Sequence, residues 1–210
     1  MTIAAPGTVQ PAEPAADQPS GLPVGRPSAV WILIAGVLGL AAAIALTIEK
    51  IELLVDPEYI PTCSFNPVLS CGSVMVTQQA SVLGFPNALI GIVSFTIVVV
   101  TGVLALARVE LPRWYWAGLA VGALLGAAFV HWLIFESLYR IGALCPYCMV
   151  VWAVTIPLLV VVAAIALQPQ QGNAVARVLH TWRWSVVALW FTGLVLLILV
   201  RFWSYWSTLV

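Results

Sequence analysis

Ala143-Leu144-Cys145-Pro146-Tyr147-Cys148 stands directly ahead of a long apolar run, and with Cys63 and Cys71 it holds all four cysteines of the chain. Proline is favoured at the first position of a helix, where its missing N–H needs no partner. Cys145 then falls at the N-cap and Cys148 one turn later on the same face. Free N–H groups and the helix dipole at that end favour negative charge, so a Cys145 thiolate is stabilised there. Two residues between cysteines is the spacing of catalytic thiol–disulfide exchange. A zinc half-site and two unconnected core cysteines are the alternatives. The rest of the chain reads as a device for holding the two cysteine pairs together at one face of a membrane.

The composition supports a membrane protein. Of 210 residues, 62% are hydrophobic and only 8% charged, against about 25% charged in soluble domains. Mean hydropathy is +1.07. Net charge is zero, so there is no basic footprint for nucleic acid. No Gly-rich phosphate loop and no internal repeat is present. Residues 1–28 are rich in proline and alanine and read as a disordered tail. With Glu13 as the first charge, they do not form a signal peptide.

Apolar runs long enough to cross a hydrocarbon core of about 30 Å occur at 29–48, 88–107, 114–138 and 146–167, with a fifth helix over 184–206. The expected fold is all-α: a four-helix transmembrane bundle plus a fifth transmembrane helix. A loop over 168–183 precedes that helix on the cytoplasmic side. Arg26, Arg108, Arg113, Arg177 and Arg183 fall on one side; Lys50, Arg140 and Arg201 fall on the other. That bias puts the N-terminus in the cytoplasm and both cysteine pairs outside, where disulfides persist. Trp114, Tyr115 and Trp116 mark one interface. Gly118, Gly122 and Gly126 share a face of the third helix and read as a ridge for close helix packing.

The large extracytoplasmic loop, 49–87, begins polar, and its segment 72–83 reads as a short helix on the membrane surface that caps the bundle. Asn87 suits an N-cap for the second span, and on the residues alone that reading is favoured over ligand binding. His131 and Glu136 are ionisable groups inside or near the third span, hence candidate proton carriers, although Glu136 and Arg140 are spaced to pair with each other.

Cys63-(x7)-Cys71, Phe85-Pro86-Asn87-Ala88-Leu89-Ile90-Gly91 and Cys145-Pro146-Tyr147-Cys148, in that order, resemble the vitamin K epoxide reductase (VKOR) family over roughly residues 30–167. The form looks like bacterial homologues without a fused thioredoxin domain. The resemblance implies a quinone-coupled, disulfide-forming enzyme of the bacterial inner membrane. It makes Cys145 and Cys148 the active-site pair beside a quinone (menaquinone or ubiquinone). Cys63 and Cys71 become a shuttle pair, attacked in an exposed loop by an extracytoplasmic thioredoxin-like (DsbA-like) partner. Asn87 matches the family's quinone-binding asparagine, which reverses the capping preference. Trp152 stands where vertebrate members carry a quinone-contacting tyrosine; its indole stacks and donates but accepts nothing.

Other classes fit less well. A structural membrane protein with zinc on its four cysteines is disfavoured by the x7 spacing. A transporter is disfavoured because only Pro157 interrupts a span. An unrelated quinone-dependent oxidase of the same pathway carries its Cys-x2-Cys pair in the first outer loop, the reverse of the order here.

Overall fold

The structure is a computed structural model, described for residues 21–168 and 174–208, without the side chains of 174–176 and 178–180. Among these residues there is no strand. The helices are α1 (Arg26–Val55), α2 (Cys71–Met75), α3 (Asn87–Leu106), α4 (Arg113–Phe135), α5 (Pro146–Ala166), α6 (Ala174–Arg201) and α7 (Trp203–Trp206). A 3₁₀ turn, Gln78–Ser81, follows α2, and a π turn, Glu136–Ile141, extends α4. Five of the helices are long and apolar enough to cross a membrane, and the chain is a multi-pass membrane protein.

α5 is the central helix, packed against α1, α4 and α6, and α3 packs on α1. The α1–α3 seam is tight. A Cβ added at Gly36 would lie 2.9 Å from the Val99 backbone nitrogen, and one at Gly102 only 2.7 Å from the Leu33 Cα. These are the glycines that let helices approach. The stripe on α4 does not: a Cβ at Gly118 or Gly122 would meet nothing within 4 Å, and at Gly126 the nearest atom is Thr155 Cγ2 at 3.9 Å. The packing expectation for that stripe is therefore corrected. It faces open space.

Other boundaries also differ from the sequence reading. α1 runs seven residues beyond 48, because Glu49, Lys50 and Glu52 are compatible with a helix and no breaker occurs before Pro57. At 30 residues it is about 45 Å long, so its last turns stand clear of the hydrocarbon. The expected 168–183 loop is helical from Ala174, with 169–173 outside the described residues. Of the proposed tail, 1–20 lies outside the described residues. Within 21–28, Leu22 N–H bonds to the Leu111 carbonyl at 3.0 Å and helix begins at Arg26. The expected surface helix over 72–83 is two short pieces, α2 and the 3₁₀ turn, separated at Thr77.

α6 and α7 close one side of the bundle. Arg201 Nε donates to the Leu138 carbonyl at 2.8 Å. Phe202 is buried in a cluster with Val68, Leu144 and Trp152. His131 lies on this side, its Nε2 accepting from Trp190 Nε1 at 2.8 Å and its Nδ1 bonded to the Ala127 carbonyl at 2.7 Å. Both ring nitrogens are thus committed.

Candidate active site

Two local devices bring the cysteine pairs together. The first is a short parallel pairing of the loop before Cys71 with the segment before Cys145. Leu144 N–H bonds to the Val68 carbonyl at 2.7 Å, and Ser70 N–H to the Leu144 carbonyl at 2.9 Å. The residue after each paired stretch is a cysteine. Each cysteine then opens a helix: Cys71 begins α2, capped by the Ser70 hydroxyl accepting from Ser73 N–H. Cys145 is the N-cap of α5 with Pro146 next. The Cys71 and Cys145 sulfurs lie 3.1 Å apart, within the 3–3.5 Å of a near-attack contact.

The second device is Glu49. Its carboxylate, buried near the end of α1, accepts from Tyr59 OH at 3.0 Å, Thr62 N–H at 3.1 Å and the Thr62 hydroxyl. It holds down the residue before Cys63. Cys63 is joined to Cys71 in a disulfide with a Cα–Cα distance of 5.6 Å. Leu46, Leu53 and Met75 pack around that disulfide, and Cys63 is only 3% exposed. The expectation of an exposed Cys63 is corrected: the loop is clamped by Glu49 and the sulfur is buried.

Cys145 and Cys148 are both free; Cys145 is buried and Cys148 partly so. The Cys145 thiol lies below its ordinary pKa, chiefly because the Cys148 side chain hydrogen-bonds to it. The Cys148 and Tyr147 N–H groups act in the same direction, while burial opposes them. Exchange at Cys145 therefore remains competent at a pH where an ordinary thiol, titrating at about 8.5, is mostly protonated.

Cys148 lies on the wall of a cavity of about 510 Å³ running from Lys50 and Met75 to Trp114 and Tyr115. Its lining is apolar (Leu46, Phe95, Val98, Phe129, Leu133) and includes the Gly118, Gly122 and Gly126 stripe. Polar groups concentrate at the cysteine end: Lys50, Gln79, Asn87 and Glu136. Trp152 also lines it at 1% exposure, and its indole N–H has no partner. The two other buried indoles without a partner, Trp116 and Trp206, do not line the cavity. An apolar cavity with a few polar anchors suits a quinone, and Trp152 beside it retains an unpaired indole donor that suits a carbonyl acceptor.

Asn87 lines the cavity but does not cap α3. Pro86 occupies the N-cap, and Asn87 is the first helical residue. Its Oδ1 accepts from Val82 N–H at 3.1 Å, and its Nδ2 donates to the Gln79 carbonyl at 2.6 Å. The amide ties down the 3₁₀ turn, leaving the second Nδ2 hydrogen. Glu136 does pair with Arg140, at 3.6 Å.

Of the sequence-predicted site residues, Cys148, Asn87 and Trp152 thus line one cavity, while Cys63, Cys71 and Cys145 form a buried cluster packed against Cys148. Glu49, Gln79 and the Leu69–Leu144 pairing were not anticipated. Their partners are distant in sequence, and no local signal marks them. The glycine stripe was visible, but its spacing alone does not distinguish a packing ridge from a cavity wall.

Helices, cysteines and cavity together define a membrane-embedded thiol–disulfide site. Residues 30–163 match the Vitamin K epoxide reductase family, and the chain belongs to that family. It is accordingly a membrane thiol–disulfide oxidoreductase. No individually curated protein matches the chain.

Proposed function

We propose that the protein oxidises an extracytoplasmic thioredoxin-like (DsbA-like) dithiol protein and passes the electrons through its two cysteine pairs to a membrane quinone, menaquinone or ubiquinone. The observation that carries this reading is the 3.1 Å Cys71–Cys145 contact in a cluster packed against Cys148, which lines the cavity. The location is the bacterial inner membrane, with the cysteine end outside, as the Lys/Arg bias of the loops supports. The core, 29–167, acts as the catalytic unit, and the fifth helix supports it from one side.

The residues permit a balanced sequence. A partner thiolate attacks Cys63 when the Glu49 clamp opens, and Cys71 leaves as a thiolate. The partner's second thiol then displaces Cys63, leaving the partner oxidised and both shuttle cysteines reduced. Cys71 attacks Cys145 of the Cys145–Cys148 disulfide and releases Cys148. Cys63 attacks Cys71, restoring the shuttle disulfide and expelling Cys145, a good leaving group at its helix N-terminus. The arrangement in the structure, with Cys63–Cys71 joined and Cys145 and Cys148 free, corresponds to this stage. A quinone bound in the cavity supplies the two-electron acceptor that lets Cys145–Cys148 close again. Trp152 N–H and the remaining Asn87 N–H would hold it.

The test uses sealed membrane vesicles of known sidedness containing the protein and quinone. A reduced thioredoxin-like protein presented at the cysteine face is expected to generate quinol and its own disulfide in equal amounts. The same donor confined to the opposite face should generate none. Quinol formation from the wrong face would overturn the orientation. No quinol from either face, with zinc bound stoichiometrically, would replace the enzyme reading with the metal-binding one.

A further inference from the structure

Glu136 is the one carboxylate on the cavity wall. It is 3% exposed, at the join of α4 and its π turn. Its Oε2 accepts from Gln79 Nε2 at 3.1 Å. Its Oε1 has only a long contact, 3.6 Å, to Arg140 Nε, and the Arg140 side chain is 65% exposed. One side of the carboxylate therefore faces the cavity that Cys148 lines, and the other leads through a guanidinium to water. His131, also in this span, is committed to Trp190 on α6 and does not line the cavity.

We propose that Glu136 is the acid that delivers a proton from outside water to the quinone during its reduction. The inference rests on the quinone reading above. Its necessity follows from the balance. Cys145 opens α5, where the helix N-terminus favours its thiolate; with Cys145 as thiolate and Cys148 as thiol, the reduced pair carries two electrons but one proton. Closing the Cys145–Cys148 disulfide releases both electrons and the Cys148 proton. A quinone taken to quinol consumes two electrons and two protons, so one proton must come from another group. Glu136 gives that proton to the cavity and regains it from water beside Arg140. The other charged or titratable groups on the cavity wall are Lys50 of α1, whose Nζ donates to the Met75 carbonyl at 2.8 Å, Cys148 of α5, and Tyr115 near the start of α4, whose hydroxyl is bonded to that of Thr101 at 2.5 Å. α3 contributes Asn87 and the 3₁₀ turn Gln79, neither of which titrates.

In a purely structural role, Glu136 would hold the Gln79 side chain while Asn87 holds the Gln79 backbone. The two roles separate in Glu136→Gln, whose amide oxygen still accepts from Gln79 but transfers no proton. For a proton carrier, Glu136→Gln keeps the wild-type melting temperature and the wild-type rate of dithiol exchange through Cys63, Cys71 and Cys145. Its quinone reduction falls about 10²-fold, the usual scale for a lost general acid, and loses the wild-type pH dependence; Glu136→Asp recovers part of the rate. Independently of turnover, dicyclohexylcarbodiimide should label Glu136 in the purified wild-type protein, as located by peptide mass spectrometry, and added quinone should block the label. Wild-type quinone reduction in Glu136→Gln, or labelling indifferent to quinone, would overturn the proton role and leave the quinone reading intact. A wild-type protein that labels but reduces no quinone would overturn both.

Discussion

Replacing Cys71 by alanine is expected to leave Cys63 covalently attached to the thioredoxin-like partner and to bring turnover to the uncatalysed level. With Cys71 gone there is no shuttle disulfide to attack, so the adduct forms when an oxidised partner meets the free Cys63 thiol or when oxidant is present. Nothing in the chain then resolves it, because the Cys145 contact is made by Cys71 and not by Cys63, and a partner variant lacking its second thiol cannot release itself. Replacing Cys145 should give the opposite phenotype. Partner exchange proceeds once, the shuttle pair stays reduced, and no adduct accumulates. Non-reducing gels of protein purified with the partner, followed by peptide mapping, distinguish the two. An adduct in Cys145→Ala and none in Cys71→Ala would reverse the electron order.

The second large effect is expected at Gly122, on α4. A leucine there places four side-chain carbons where an added Cβ meets nothing within 4 Å, on the wall of the cavity. Leucine is a better helix former than glycine by up to about 1 kcal/mol, so the helix itself does not suffer. Gly122→Leu should therefore fold with an unchanged or raised melting temperature and exchange thiols with the partner normally. Quinone reduction should fall about 10²-fold or more, the scale of a misplaced reactant. Loss of folding instead would restore the packing reading of the stripe. Wild-type quinone reduction would remove the stripe from the ligand site.

The fold class and the identity of the cysteines were legible in the chain because the signals are local. Twenty-residue apolar runs, a proline after Cys145 and a Cys-x2-Cys spacing each act within a few turns of helix. Less was legible where a boundary depends on something outside the window. Charges at Glu49 and Lys50 resemble the start of a loop, yet they only mark where α1 leaves the hydrocarbon; the helix continues to Val55. Asn87 has the right identity for a cap, but Pro86 takes that position and frees the amide to hold Gln79. Cys63 sits in a long polar loop, which usually means exposure; Glu49, fourteen residues earlier, clamps it shut. The juxtaposition of Cys71 and Cys145 depends on pairing between Leu69 and Leu144, a contact across 75 residues that no local pattern encodes.

Electrons are expected to cross between the pairs at Cys71 and Cys145. The most direct test removes the two competing sulfurs, in Cys63→Ala/Cys148→Ala. With the sulfurs 3.1 Å apart and no other thiol in the chain, mild oxidation of this variant in membranes should join Cys71 to Cys145 nearly completely. The bond is identified by mass spectrometry of the linked peptides, and a reduced thioredoxin-like protein should reopen it slowly. If both cysteines instead stay alkylatable, or link only between separate molecules, the two pairs do not meet at these atoms.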